Sequence, residues 1–315
     1  MEGANIVDVR ETTLTGLDLV TAGILSYNRV TDLRRTLTAV LSIENLAVLV
    51  LDNGSSDGSR ELLEEAVTRY PTRLTVQLRN ENIGIAARNE MFAHVTTPFL
   101  LSLDDDSWPR SAEDVHAMLR LMQSDDTIAA VCASCVHPDT GVAETAGIER
   151  FAGGGSADTG YDVVNIAAGG TMLRMAAVRE TDGYGADFFW GREENDLAFQ
   201  LLSKGWRVVY YPSALVWHAM SPVGRDVYGR LRMVTRNSLW LLWKYFPLTV
   251  SLPLALLFAL RRLLPVVKDF RRLRPVLDGL REGFGGMGRM RAYAMVFDTA
   301  MTLRLRHWFL KLLYE

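Results

Sequence analysis

Three consecutive acids, Asp104, Asp105 and Asp106, follow the apolar run Phe99 to Leu103. A buried strand that ends this way crowds like charges at one point, where a divalent cation relieves the repulsion. Hard carboxylate oxygens suit Mg2+ or Mn2+ better than zinc. A solvated acidic turn capping the next helix would use the same residues, so the cluster gains meaning only from its neighbours. A second acidic group, Glu193, Glu194 and Asp196, follows an aromatic, glycine-containing turn that holds Trp190. Acids in the first turn of a helix are favoured by its dipole, yet a carboxylate there can also take a proton from a hydroxyl. His218 closes the run LVWH, where its ring could be either core or ligand.

Asp52 ends LAVLVLD, and the NGSSDGS that follows lacks both the G-K-[ST] ending of a Walker loop and the G-x-G-x-x-G of a dinucleotide fold. A carboxylate at that strand end can accept a hydrogen bond from a base N–H. Gly84 allows a tight turn ahead of a helix bearing Arg88 and Asn89. Cys132 and Cys135 have C-x-x-C spacing without a second pair, and their flanks are apolar. They read as strand residues in a reducing compartment.

The elements that must position these groups follow from periodicity. Strands are expected at 19–26, 46–52, 74–78, 98–103, 128–134, 206–212 and 215–218, with helices between most of them. Thr31 or Asp32 is expected to cap the first helix and Ser111 the one after the acids. This alternation is the signature of an α/β fold with a mostly parallel sheet, whose ligands bind beyond the carboxyl ends of the strands. The glycine-rich stretch 136–170 reads as a mobile loop over that face.

At 315 residues, the chain suits one large domain with an extension. The boundary is expected near 224, with an α/β catalytic domain over 18–224 and a helical region over 225–315. A net charge of −3 and a pI near 6.0 give no general attraction to nucleic acid. The N-terminus has no apolar core of a signal peptide, so a cytoplasmic location is expected. Residues 239–260 are nearly all apolar but contain Lys244, Pro247 and Pro253. Arg261, Arg262, Lys268, Arg271, Arg272 and Arg274 follow. A core helix and a membrane span are both possible readings, and an interfacial segment on the cytoplasmic membrane face is favoured over them.

Taken in order, the series runs Ser26-Tyr27-Asn28-Arg29, Asp52, Asn82-Ile83-Gly84, Arg88-Asn89, Asp104 to Asp106, Gly169-Gly170, Glu193 to Asp196 and Trp217-His218. It resembles the inverting glycosyltransferases of family 2, which have the GT-A fold, over about residues 18–245. RNSLWLLWKYFP is similar to rhamnosyltransferase-like members. The resemblance implies a nucleotide-diphosphate sugar donor, with UDP or dTDP favoured, and an acceptor hydroxyl on a glycan, a lipid-linked molecule or a small molecule. Ser26 to Arg29, Asp52, Asn82, Gly84 and Arg88 would face the donor, together with Asp104 and Asp105. Asp106 would ligate Mg2+ or Mn2+, Asp104 would contact ribose or metal-bound water, and His218 would complete the metal shell. Gly169, Gly170 and Trp190 would admit the acceptor.

Glu194 occupies the position of the general base, where the family more often has Asp. The extra methylene keeps Glu193 and Asp196 in view as candidates. No Q-x-x-R-W motif of processive synthases is present, which implies one sugar per catalytic event. A sugar nucleotidyltransferase is the rival enzyme, but SYNRVTD lacks the glycine-rich basic loop such enzymes carry after the first strand. A non-catalytic, membrane-associated carbohydrate-binding protein is the rival outside enzymology, and the two retained acidic groups argue against it.

Overall fold

The structure, a computed structural model, describes residues 16–144, 150–166, 169–221, 226–267, 269–305 and 308–309. The first units are β1 (Val20–Ser26), α1 (Val30–Leu41), β2 (Ala47–Asp52), α2 (Ser59–Arg69), β3 (Leu74–Leu78) and α3 (Ala87–His94). Next come β4 (Phe99–Asp104), β5 (Ser107–Pro109), α4 (Ala112–Ser124), β6 (Ile128–Val136), β7 (Arg150–Ser156), β8 (Gly160–Val163) and β9 (Thr171–Arg174). Then follow α5 (Met175–Val178), α6 (Glu193–Ser203) and β10 (Arg207–His218). The C-terminal helices are α7 (Val227–Tyr245), α8 (Leu248–Leu263), α9 (Leu273–Gly285), α10 (Met287–Ala292) and α11 (Thr299–Arg304).

All the strands expected from periodicity form, in one sheet ordered β3-β2-β1-β4-β9-β6-β10-β8-β7, with β5 against β10. Strands β1 to β4, β6, β7 and β10 share one direction, while β5, β8 and β9 oppose it. The fold is therefore α/β with a mostly parallel sheet. The two pieces expected at 206–212 and 215–218 form one strand, β10, with a register shift between Tyr211 and Leu215.

Two local expectations fail. The stretch 136–170 is not simply a loop, since β7 and β8 form a hairpin that β8 joins to β10. Its glycines erase the side-chain alternation that marks a strand, yet the close approach demands one of them. A Cβ on Gly155 would lie 1.9 Å from the Gly160 carbonyl oxygen. Helix α1 starts at Val30, and neither Thr31 nor Asp32 caps it. Asp57, from the loop after β2, accepts from the Val30 N–H at 2.8 Å. A cap supplied by a distant loop leaves no local signal. Ser111 does cap α4, accepting from the Asp114 N–H.

Two hydrophobic clusters flank the sheet. One packs Leu33, Leu37, Leu63 and Met118 of α1, α2 and α4. The other packs Met91, Leu197, Ala198 and Leu201 of α3 and α6. Cys135 belongs to the first cluster and Cys132 to the second, so the two thiols lie on opposite faces. Burial pushes the Cys135 thiol far up, as suits a packing residue.

The apolar segment 239–260 divides at Pro247. Leu239 through Phe246 are buried, in a third cluster shared with Phe188, Phe199 and Leu202 of the sheet domain. Phe199 meets Tyr245, Phe246, Phe297 and Trp308 at ring-centroid distances of 5.1 to 6.1 Å. By contrast, α8 buries Ser251, Ala255 and Phe258 and exposes Leu252, Leu256 and Leu260. The core reading holds for the first half of the segment alone. Trp243→Ala should therefore lower unfolding free energy by about 3–5 kcal/mol, measured by chemical denaturation. In the same assay, Leu256→Ser should stay within about 0.5 kcal/mol of the parent.

Candidate active site

Parallel register brings the first site residues together. Ser26 pairs with Asp52 across β1 and β2, and Leu25 pairs with Asp104 across β1 and β4. Three strands thus end side by side at the carboxyl edge of the sheet. There Ser26 Oγ and Asp52 Oδ1 are buried and have no hydrogen-bond partner among the described residues. Asp52 Oδ2 is engaged by the Ser55 N–H at 3.0 Å and by Arg60 Nε at 3.3 Å. A buried polar atom left unpaired is costly unless a ligand satisfies it, so this pair is a ready site for a polar heterocycle.

The remaining residues expected to face a donor divide by task. Tyr27 is 42% exposed, leaving its ring available to a flat ligand. Asn28 accepts from the Ser56 N–H and donates its own N–H to Ser55 Oγ, so it shapes the loop. Asn82 accepts from the Gly84 N–H and from Asn53 Nδ2. Asn53, which the sequence did not single out, also accepts from the Ile83 N–H and ties the 53–58 and 80–86 loops together. Gly84 packs directly beneath Phe189, whose carbonyl accepts from the Ile85 N–H at 2.8 Å. Arg88 is buried and donates to Ser102 Oγ, the Leu103 carbonyl and Asp104 Oδ1. It fastens Asp104 from beneath, where the sequence suggested contact with base or diphosphate.

The three consecutive acids have three environments. Asp105 turns inward, accepting from the Tyr27 N–H and Arg29, both at 3.1 Å. Burial, with help from Asp104 and Asp106, pushes its carboxyl up to about 7 against the pull of Arg29. Asp106 accepts from the Ser221 N–H at 2.8 Å and lies 3.4 Å from His218 Nε2. Burial alone would raise its carboxyl, but His218, the Ser221 N–H and Arg29 outweigh that and hold it low. His218 reaches this point because β10 pairs with β5, setting His218 opposite Ser107.

His218 Nδ1 contacts Glu144 Oε2 at 2.8 Å, a partner with no sequence signal in a weakly patterned segment. Burial would depress the His218 imidazole, yet its bonds to Asp106 and Glu144 push it up to about 10. One ligand atom each from Asp104, Asp106 and His218 lies within 4.8 Å of the others. Two carboxylates and an imidazole oriented by a third carboxylate, Glu144, fit Mg2+ or Mn2+.

Gly169 adopts φ +70°, and a Cβ there would lie 2.9 Å from Asp104 Oδ2. Only glycine allows the chain so near this acid. Gly170 faces inward instead, against Cys135 and Val216. Glu193 and Glu194 begin α6, near enough to Asp104 for its charge to act on both. Glu193 is 2% exposed, with Oε2 unpartnered among the described residues, whereas Glu194 keeps partial exposure. Burial raises both carboxyls; Glu194 and Asp104 push Glu193 up further and Asp104 does the same to Glu194, with Arg88 opposing in each case. Trp190 is half-buried beneath the Arg230 guanidinium, 4.7 Å from the ring centroid. Asp196, the third candidate base, is fully enclosed by Lys244 at 2.7 Å, the Tyr245 hydroxyl at 2.8 Å and Gln200 Nε2 at 3.1 Å. Its carboxylate is spent inside the protein, which separates it from the pair ahead of it.

No curated protein matches the sequence. Among solved structures, GalNAc-T7 with UDP, GalNAc and Mn2+ aligns at TM-score 0.58 and 14% identity, over 87% of this chain and 57% of that one. The mannosyltransferase PcManGT from Pyrobaculum calidifontis, in complex with GDP-Man and Mn2+, aligns at 0.57 and 17%, over 94% and 85%. S. aureus TarS aligns at 0.57 and 14%, over 93% of this chain but 53% of that one. At these identities the likeness speaks for a shared fold. The model of the family described as "Glycosyl transferase family 2" matches residues 21–182, from β1 past the acid cluster. With that match spanning half the chain, and with the acid cluster, His218 and Glu193–Glu194 on the same fold, the protein belongs to glycosyl transferase family 2.

Proposed function

We propose that the protein moves one sugar from a nucleotide-diphosphate donor, UDP- or dTDP-linked, to an acceptor hydroxyl by a single inverting displacement. The observation that carries this reading is the meeting of two unlike acidic sites at one sheet edge. One is the Asp104–Asp106–His218 cluster suited to a cation, and the other is Glu194, partly exposed at the start of α6. Asp52 and Ser26 offer their unpaired oxygens to the base, and the exposed Tyr27 ring covers it. When bound, Mg2+ or Mn2+ supplies neutralising charge for the diphosphate. Glu194 takes the acceptor proton as the hydroxyl attacks the anomeric carbon from the face opposite the leaving group. One carboxylate suffices, because no covalent sugar–enzyme bond has to be made or broken. The GDP-Man and UDP bound by the structural relatives agree with a nucleotide-linked donor of this class.

We also propose that α8 docks on an anionic membrane surface. Only 22% of the apolar segment Leu248–Val266 is buried, although it is long and apolar enough to cross a bilayer. Its inner face packs on the protein through Ala255 and Phe258, which favours lying along the surface over spanning. Leu252, Leu256 and Leu260 form one exposed row, followed by exposed Arg261, Phe270, Arg271, Arg272 and Arg274. This combination of an apolar row and adjoining arginines complements anionic lipid. Of the two remaining expected cations, Arg262 is half-buried over the Phe258 ring, and Lys268 lies outside the described residues.

Three outcomes test these readings. A thermal-shift screen of UDP-, dTDP- and GDP-sugars with Mn2+ should show stabilisation by one donor class, and Asp106→Ala should abolish its metal dependence. Unchanged Mn2+ dependence in that variant would overturn the metal site.

Glu194→Gln should keep donor binding and lose transfer by roughly 10² to 10⁴-fold, with a smaller loss for Glu193→Gln. A base works only deprotonated, and the Glu194 carboxyl is raised by burial and Asp104 against Arg88 and Arg192. Parent activity should therefore fall, as the pH drops, at a pH above the ordinary glutamate range, and near-normal turnover by Glu194→Gln would move the base elsewhere.

Vesicles containing phosphatidylglycerol should co-sediment the protein, while Leu256→Asp/Leu260→Asp should stay in solution. Equal sedimentation of parent and variant would refute docking through α8.

A further inference from the structure

The turn that delivers Glu193 and Glu194 has an unusual backbone. Phe189 has φ 58° and ψ −55°, Gly191 has φ 86°, and Arg192, the residue preceding α6, has φ 71°. Positive φ at two non-glycine residues within four positions persists only where the surroundings impose it. Here the surroundings are α7. Asn237 is fully buried, and its Nδ2 donates to the carbonyls of Phe188 at 3.0 Å, Trp190 at 3.2 Å and Gly191 at 2.5 Å. Two amide hydrogens are thereby shared among three carbonyls of the strained turn.

Neighbouring residues complete the grip. Arg236 Nε donates to Asn237 Oδ1 at 2.9 Å, which fixes the amide with its NH2 toward the turn. Arg236 also donates to the carbonyls of Asp187 and Phe188, both at 3.0 Å. Ser238 Oγ accepts from Arg192 Nε at 3.3 Å. About two turns further along α7, Lys244 and Tyr245 hold Asp196, so α6 is secured on both sides of the acid pair. On its other side, the same turn receives the Ile85 N–H of the donor loop on the Phe189 carbonyl.

We infer that Asn237 is a positioning residue for catalysis, holding the 188–192 turn so that the acid pair faces the donor loop in register. The side-chain amide is suited to the task because it supplies two donors without bringing a charge into a buried site. This inference rests on Glu194 being the base, and the test separates the two claims.

The donor selected by the thermal-shift screen is used throughout, with nucleoside diphosphate release as the readout. Asn237→Ala should lower kcat by about 10²-fold, the scale of a misplacement near 1 Å, and leave the donor KM and Mn2+-dependent nucleotide affinity unchanged. A residue needed only for folding would reduce stability and nucleotide affinity together. In the double variant Glu194→Gln/Asn237→Ala, little further loss should appear beyond that of Glu194→Gln, because a misplaced base and a missing base are the same defect. Arg236→Gln, at the rim of the grip, should give a smaller loss of the same kind should Asn237→Ala fail to fold.

Parent-like kcat in Asn237→Ala, or in Arg236→Gln if that is the variant that folds, would overturn the inference. Fully additive losses in the double variant would overturn it as well. Parent-like kcat in Glu194→Gln would instead overturn the base assignment, whatever Asn237 does.

Discussion

Mutual repulsion among Asp104, Asp105 and Asp106 is the constraint around which the site is arranged. Three carboxylates on consecutive residues cannot all remain charged in a half-buried crevice without partners. The fold answers with a different partner for each: Arg88 beneath Asp104, Arg29 and the Tyr27 N–H around Asp105, and His218 beside Asp106. Those partners come from α3, the loop after β1, and the end of β10. The acid cluster therefore links segments more than one hundred residues apart, and the sheet order is what makes that possible. β5 matters out of proportion to its three residues, because its antiparallel pairing with β10 brings His218 into reach.

The helical C-terminal part belongs to the same mechanical unit as the catalytic sheet. Its first helix shares a hydrophobic cluster with α6, and the polar contacts of Asn237, Lys244 and Tyr245 lie along that seam. Apolar burial supplies the adhesion, while the polar contacts fix the register, since a buried ion pair gains little net stability but tolerates few alternatives. Beyond Pro247 the character changes, and α8 turns a leucine row outward.

Much of this was legible in the sequence for a physical reason. Buried parallel strands are continuous apolar runs that end where ligands bind, so Asp52, Asp104 to Asp106 and His218 stood out as strand-end residues, while the roles expected of them came from the resemblance. What escaped depended on distant or backbone partners. Asp57 capping α1, Glu144 on His218, and Asn53 bridging two loops leave no periodic trace. The β7–β8 hairpin was hidden by glycines that its tight approach requires. Asp196 and Glu194 looked alike as acids in one helical turn, yet a separation of two residues points them to different surroundings, one enclosed by α7 and one toward the crevice. The resemblance that suggested a role for Arg88 could not reveal that its guanidinium is already spent on Ser102, Leu103 and Asp104.

Ser26 Oγ and Asp52 Oδ1 stand on paired residues of neighbouring strands, both buried and both unpaired among the described residues. Such a site selects by penalty more than by attraction. A heterocycle that presents an N–H to the carboxylate relieves a cost the protein already bears, whereas one presenting a carbonyl edge there sets two acceptors face to face and leaves that cost standing. Because the strand pairing holds the two oxygens on a rigid frame, the crevice cannot relax around the wrong edge. Under the proposed base-binding role, discrimination among bases at this point is a property of the sheet, built in when β1 and β2 come into register.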